Sequence, residues 1–141
     1  MVSRTLSNVF IDEELPDVVI PLTVYRLIMA AGGNRDFNSI HHNSEYARLT
    51  GAEEMYANTS FLLASWERLV REWMGDAGRI VSIKGFRMNS FNYVGDTLTV
   101  KGKVASIDNP EVDIQVWCEN SRGVSVGPGI VRVILPGREE K

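Results

Sequence analysis

Between Asn58 and Gly75 apolar residues recur at helical spacing, and this stretch limits what the rest of the chain can become. Leu62, Ser65, Trp66, Leu69, Val70, Trp73 and Met74 fall on one face of a helix running to about Met74. Asn58 is a good N-cap and Gly75 a good stop. On the opposite side Glu67 precedes Arg71 by four residues and Arg68 precedes Glu72 by four. Such pairs support an exposed helix face by about 0.2–0.5 kcal/mol each. Both tryptophans therefore read as core. A helix with so wide an apolar stripe needs a second layer to cover it.

That layer follows at once, because after Gly75 the period changes to two. Arg79 to Asn92 reads as one long β segment with a phase break near Lys84-Gly85. After a turn at Gly95-Asp96, Leu98, Val100, Gly102 and Val104 alternate with Thr97, Thr99, Lys101 and Lys103. Asp108-Asn109-Pro110 turns into a strand containing Val112, Ile114, Val116 and, in the same phase, Cys118. Ser121-Arg122-Gly123 turns into the last strand, Val124 to Leu135, where Pro128 implies an edge or a bulge. Ahead of the long helix lie a short β-like segment, Asp17 to Ile20, and a helix capped by Thr23 with Val24, Leu27, Ile28 and Ala31 on one face. A polar connection over 34–43 and a short helix capped by Ser44 and closed by Gly51 come next. Residues 1–16 read as a loose N-terminal arm and 137–141 as a solvated tail, leaving 17–136 as the folded unit. The order predicts an α+β fold in which a long central helix is wrapped by a curved antiparallel β-sheet.

Composition narrows the function classes. The 141 residues are 44 % hydrophobic and carry a formal charge of −3, which argues against nucleic-acid binding because no dominant basic surface is available. The single Cys118 excludes an intrachain disulfide framework and a cysteine-rich zinc site, and its strand phase marks it as a buried small residue. No apolar run approaches a membrane span and no signal-peptide pattern is present, so the expected compartment is the cytoplasm.

Chemistry can be carried in one place. His41 and His42 are the only histidines, and Asp36 precedes them in the same polar connection. A carboxylate and an imidazole five residues apart can converge on one water molecule and act on it as base and acid. Taken alone, the pair is equally compatible with a solvated loop or a capping contact. Consecutive histidines point apart and no third ligand has suitable spacing, so no metal is expected. There is no nucleophile elbow and no glycine-rich phosphate loop.

The stretch Ala30-Ala31-Gly32-Gly33-Asn34-Arg35-Asp36-Phe37-Asn38-Ser39-Ile40-His41 resembles the signature of the MaoC-like (R)-specific enoyl-CoA hydratases, Asp-x-Asn-Pro-(Ile/Val/Leu)-His. Arg35 to His42, with Asn58 at the start of the long helix, is similar to the small catalytic subunits of heteromeric steroid side-chain hydratases. The resemblance implies a hot-dog fold with Asp36 and His41 as the catalytic pair. It implies substrate-binding roles for Asn38, Asn58 and the Thr59 backbone N–H, the last polarising the thioester carbonyl. It also implies coenzyme A thioester as substrate, no separate cofactor, and pairing as a homodimer or with another hot-dog chain. Two positions depart from the pattern: Ser39 stands where the motif has Pro, which predicts a looser loop, and Asn58-Thr59 replaces the usual His-Gly. Two other readings remain: a hot-dog acyl-CoA thioesterase using Glu67, and a non-catalytic hot-dog subunit.

Overall fold

Helix α3 (Thr59–Met74) begins and ends where the periodicity places it. The Asn58 side-chain oxygen accepts the Phe61 N–H at 2.9 Å, and Gly75, at φ +75°, closes the helix. All seven stripe residues are buried. They lie against a five-stranded antiparallel sheet made of β1 (Val18–Pro21), β2 (Arg79–Lys84), β3 (Thr97–Asp108), β4 (Glu111–Asn120) and β5 (Gly123–Ile134) in the order β1-β3-β4-β5-β2. Leu98, Val100 and Val104 of β3, Val112, Ile114, Val116 and Cys118 of β4, and Val131 and Val133 of β5 are fully buried. A period of two thus meets a period of 3.6 to make the core. The sheet curls around α3, and the α+β hot-dog architecture is the fold of the chain. The computed structural model describes residues 3–137; of the tail expected at 137–141, residues 138–141 lie outside them. No described helix is long and apolar enough to cross a membrane.

Four expectations change. Residues 3–16 are not a loose arm: Leu15 and Glu13 are buried, the Leu15 N–H donates to the Gly102 carbonyl, and the Val104 N–H donates to the Glu13 carbonyl. Strand β3 is far longer than β1, which pairs only with Thr97 to Val100, and the arm takes up part of the edge left over. The β segment expected over 79–92 stops at Lys84, the last residue to pair with β5. Gly85 has φ +73° and turns the chain out of the sheet, while Phe86 packs edge-on against Trp66 at 5.1 Å. From there to Asp96 a loop runs over the N-terminal end of α3, touching the sheet through the isolated bridge of Met88 to Val126.

Helix α1 (Val24–Gly33) is capped by Thr23 as expected, but only Leu27 and Ala31 of its predicted stripe are buried; Val24 and Ile28 are exposed. A single i, i+4 row meets the core. Helix α2 (Ser44–Leu49) is capped by Asn43 rather than Ser44: Asn43 accepts the Tyr46 N–H at 3.0 Å, and the Ser44 hydroxyl instead accepts the Met55 N–H at 3.1 Å. Pro128 sits in a bulge. Val116 pairs with Gly129 and Cys118 with Val126, and pairing to β2 begins only at Ile130, so no partner lacks the proline's missing N–H.

Candidate active site

The end of α1 shapes the site. The Asp36 N–H donates to the Ala31 carbonyl at 2.9 Å, and between Asn34 and Asp36 the chain reverses through Arg35 at φ +55°. A non-glycine residue in that region is uncommon and is held there by its surroundings. A single 3₁₀ turn, Ser39–His41, follows. The Asn38 side chain caps it by accepting the Ile40 N–H at 3.2 Å, and the Asn43 N–H donates to the Ser39 carbonyl at 2.8 Å. Ser39 occupies the first position of the turn, where an N–H needs no partner. The missing proline therefore removes only a preset φ, and the capped turn stays closed.

The turn delivers His41 inward and His42 outward: His41 is buried and His42 exposed. His41 Nε2 lies 3.0 Å from Asp36 Oδ2. His41 Nδ1 lies 2.8 Å from the Tyr56 carbonyl oxygen. A carbonyl only accepts, so Nδ1 carries a proton and Nε2 is the nitrogen that can exchange one with the carboxylate. The Tyr56 N–H in turn donates to the Ile40 carbonyl at 3.3 Å, clasping the two segments together. The Tyr56 ring stands edge-on to His41 at 5.4 Å and stacks on Phe91 at 4.0 Å. Desolvation pushes the Tyr56 phenol above its ordinary range, with Tyr93 and the Asp36 carboxylate adding to the effect. The Asp36 carboxylate itself is only partly covered.

Asn58 joins this pair from the start of α3. It is 3 % exposed, and its Nδ2 lies 3.5 Å from Asp36 Oδ2 while its Oδ1 caps Phe61. Thr59 is exposed, with its hydroxyl 3.8 Å from the Met88 sulfur. As at any helix start, the first N–H groups have no carbonyl four residues back. Among the described residues neither the Thr59 nor the Ser60 N–H meets an acceptor in the protein. A cavity of about 430 Å³ is lined by Met88, Phe91, Tyr93 and Arg122 among others. Phe91 and Met88 connect it to Tyr56 and Thr59, and so to the Asp36–His41 pair.

Of the five residues singled out from the sequence, His41 and Asn58 both meet Asp36 Oδ2. Asn38 is exposed, with its side-chain oxygen committed to the Ile40 N–H and its own N–H 3.4 Å from Asp36 Oδ1, while Thr59 reaches the cavity-lining Met88 only through its hydroxyl. Tyr56, Asn34 and Phe91 were not foreseen. Tyr56 holds His41 through its carbonyl, which no residue-type pattern reports. Asn34 bonds a residue 24 positions away, a contact only the tertiary fold creates. Glu67 lies eight residues into α3, about 12 Å along the axis from its start, and is bound by Arg71 at 2.7 Å. Among the described residues no group of three His, Cys, Asp or Glu side chains is placed to hold a metal ion.

Comparison with known proteins finds hydratases among those this chain is similar to. No family model matches the chain. A curated relative from Mycobacterium tuberculosis, the 3-oxo-4,17-pregnadiene-20-carboxyl-CoA hydratase beta subunit, is 28 % identical over 97 residues, covering 69 % of this chain and 74 % of the relative. The crystal structure of the ChsH1-ChsH2 complex from the same organism includes a chain that superposes with a TM-score of 0.85 at 25 % identity, over 89 % of this chain and 98 % of that one. An (R)-hydratase from A. caviae involved in PHA biosynthesis gives a TM-score of 0.83 over 92 % of this chain and 98 % of its own; at 17 % identity that likeness shows the fold alone. The resemblance carried by residues 30–42 and by Asn58 is thus matched along most of the chain, and its relatives are hydratases of the hot-dog fold.

Proposed function

We propose that this chain catalyses the reversible addition of water across a trans-2-enoyl-CoA thioester, giving the (R)-3-hydroxyacyl product. One observation carries the reading: Asp36 Oδ2 and His41 Nε2 are 3.0 Å apart, with the imidazole held by the Tyr56 carbonyl and the carboxylate 3.5 Å from Asn58 Nδ2 at the start of α3. Water held by the pair delivers its OH to C3, and a proton passes to C2. The electron pair of the double bond moves toward the carbonyl as enolate character, which the α3 N-terminus favours. The reaction needs no cofactor, since coenzyme A is part of the substrate. The relative's name makes a steroid-type enoyl-CoA the first substrate to assay, and the ChsH1-ChsH2 complex makes a second hot-dog chain the first partner to supply.

The test is hydration of short, medium, long and steroid-type enoyl-CoAs by the purified chain, alone and with any co-purifying hot-dog chain. Asp36→Asn and His41→Ala are expected to lower kcat by about 10²- to 10⁴-fold with the fold intact, as for loss of a proton-transfer group. His42→Ala should stay within about twofold. Folded Asp36→Asn and His41→Ala proteins with near-normal hydration would sink the assignment. Release of free thiol without hydration would replace it with a thioesterase.

A further inference from the structure

The carboxamide of Asn58 is gripped at both ends by two residues that flank Arg35. Asn34 Nδ2 donates to Asn58 Oδ1 at 3.3 Å, and Asn58 Nδ2 donates to Asp36 Oδ2 at 3.5 Å. Positions 34 and 36 can both face Asn58 because Arg35, at φ +55°, turns the chain between them. Which end of the Asn58 amide is oxygen is settled by a donor that cannot change role: the Phe61 backbone N–H, 2.9 Å from Oδ1. With a second donor from Asn34 on the same oxygen, the Nδ2 group is left pointing at the carboxylate oxygen that also receives His41 Nε2.

We propose that Asn34 is a positioning residue for the Asp36–His41 pair, acting through Asn58, a role that rests on the hydratase reading above. Asp36 is the more exposed member of the pair, with 39 % of its side chain accessible against 8 % for His41, so its orientation depends on the few polar contacts it has. Asn58 supplies one from a rigid helix start, and Asn34 holds the Asn58 amide in the orientation that makes it a donor. At 3.5 Å the Asn58–Asp36 contact is a long one, and hydrogen bonds to a proton-transfer group often tighten only in the transition-state complex. Small displacements of a reacting group lower the rate steeply, so a residue outside the reacting atoms can still be read in kcat.

Asn34 is itself exposed and has φ −83°, a conformation open to any residue, so substituting it leaves the fold in place. Asn34→Ala removes the donor. Asn34→Asp keeps the shape but turns an acceptor toward Asn58 Oδ1. Both are expected to lower kcat for enoyl-CoA hydration about 5- to 20-fold with KM within twofold, Asp at least as strongly as Ala. Asn34→Gln, which keeps the donor, should recover part of the loss. In the substrate-free protein, the Asn58 side-chain NH₂ signals in ¹H–¹⁵N spectra should move toward those of a free carboxamide in Asn34→Ala. Unchanged kcat in both variants, or a rise in KM alone, overturns the proposal. Unmoved Asn58 signals overturn it as well. If the parent protein hydrates no enoyl-CoA, the hydratase reading fails, and the spectra still show whether Asn34 holds the Asn58 amide.

Discussion

His41 presents its two ring nitrogens to two different kinds of acceptor. The Tyr56 carbonyl fixes the proton on Nδ1, which leaves Nε2 facing Asp36 Oδ2. The other sulfur- and nitrogen-bearing side chains with reactive potential are placed otherwise: His42 faces out, and Cys118 is sealed in the core. Burial pushes the Cys118 thiol up to about 11, even though the hydroxyl of Ser65 and the indole N–H of Trp66 both lie against the sulfur. Thiolate, not thiol, is the reactive form. Cys118 should therefore resist thiol reagents in the native protein at neutral pH and react at the ordinary rate once urea unfolds it, as followed by mass spectrometry. Rapid native labelling would show that the core opens around β4.

At the level of elements, the chain leaves β2 where two backbones approach closely. A Cβ at Gly129 would lie 2.4 Å from the Lys84 carbonyl oxygen and 2.8 Å from the Gly85 carbonyl carbon. These are main-chain atoms of the neighbouring strand and cannot rotate away. Gly129→Ala should therefore lower stability by about 1–3 kcal/mol, as overpacking does, seen as a lower urea midpoint. A midpoint within error of the parent would mean that β2 and the loop after it shift freely. On the outer face of the same sheet, Arg132 of β5 grips Asp113 of β4 through two hydrogen bonds, 2.8 and 3.1 Å. The Arg132 hydrogen bond holds the Asp113 carboxyl below its usual range, with partial burial opposing it. A carboxyl whose folded value is depressed stabilises the fold fully above the unfolded value near pH ~4 and loses that contribution as pH falls through the folded value. Asp113→Asn should thus lower the urea midpoint at neutral pH, with the difference shrinking in acid. A difference that grows below pH ~4 would contradict this.

Across the whole molecule, one helix and a curled sheet leave apolar surface uncovered. Tyr25 and Met29 on α1, Phe37 in the loop that carries Asp36 and His41, and Val81 on the edge strand β2 are all about half exposed or more. Edge strands and apolar patches of this kind are the usual places where a second chain sits. Native mass spectrometry of the protein as purified is expected to give at least twice the 15.8 kDa of one chain, as a pair of copies or with a co-purifying hot-dog chain. A stable, fully active 15.8 kDa species would show that no second chain is needed.

The long helix, its caps and its buried stripe were legible in the amino-acid order, because a period of 3.6 with Asn58 before it and Gly75 after it has one local solution. The inward phase of β3, β4 and β5 was legible for the same reason, as was the convergence of Asp36 and His41, whose motif sits within a single short loop. What was not legible depends on contacts between distant segments. Residues 3–16 are ordered because β3 offers backbone groups that β1 is too short to pair. The β segment ends at Lys84, where Gly85 turns the chain out of the sheet and the Gly129 backbone of β5 lies close. The Tyr56 carbonyl and the Asn58 amide meet the Asp36–His41 pair, and the Asn34 side chain meets Asn58, through folding alone. Local order set which residues could do the chemistry. The packing of α3 against the Asp36–His41 loop decided which atoms face one another, and hence which nitrogen of His41 is free to move a proton.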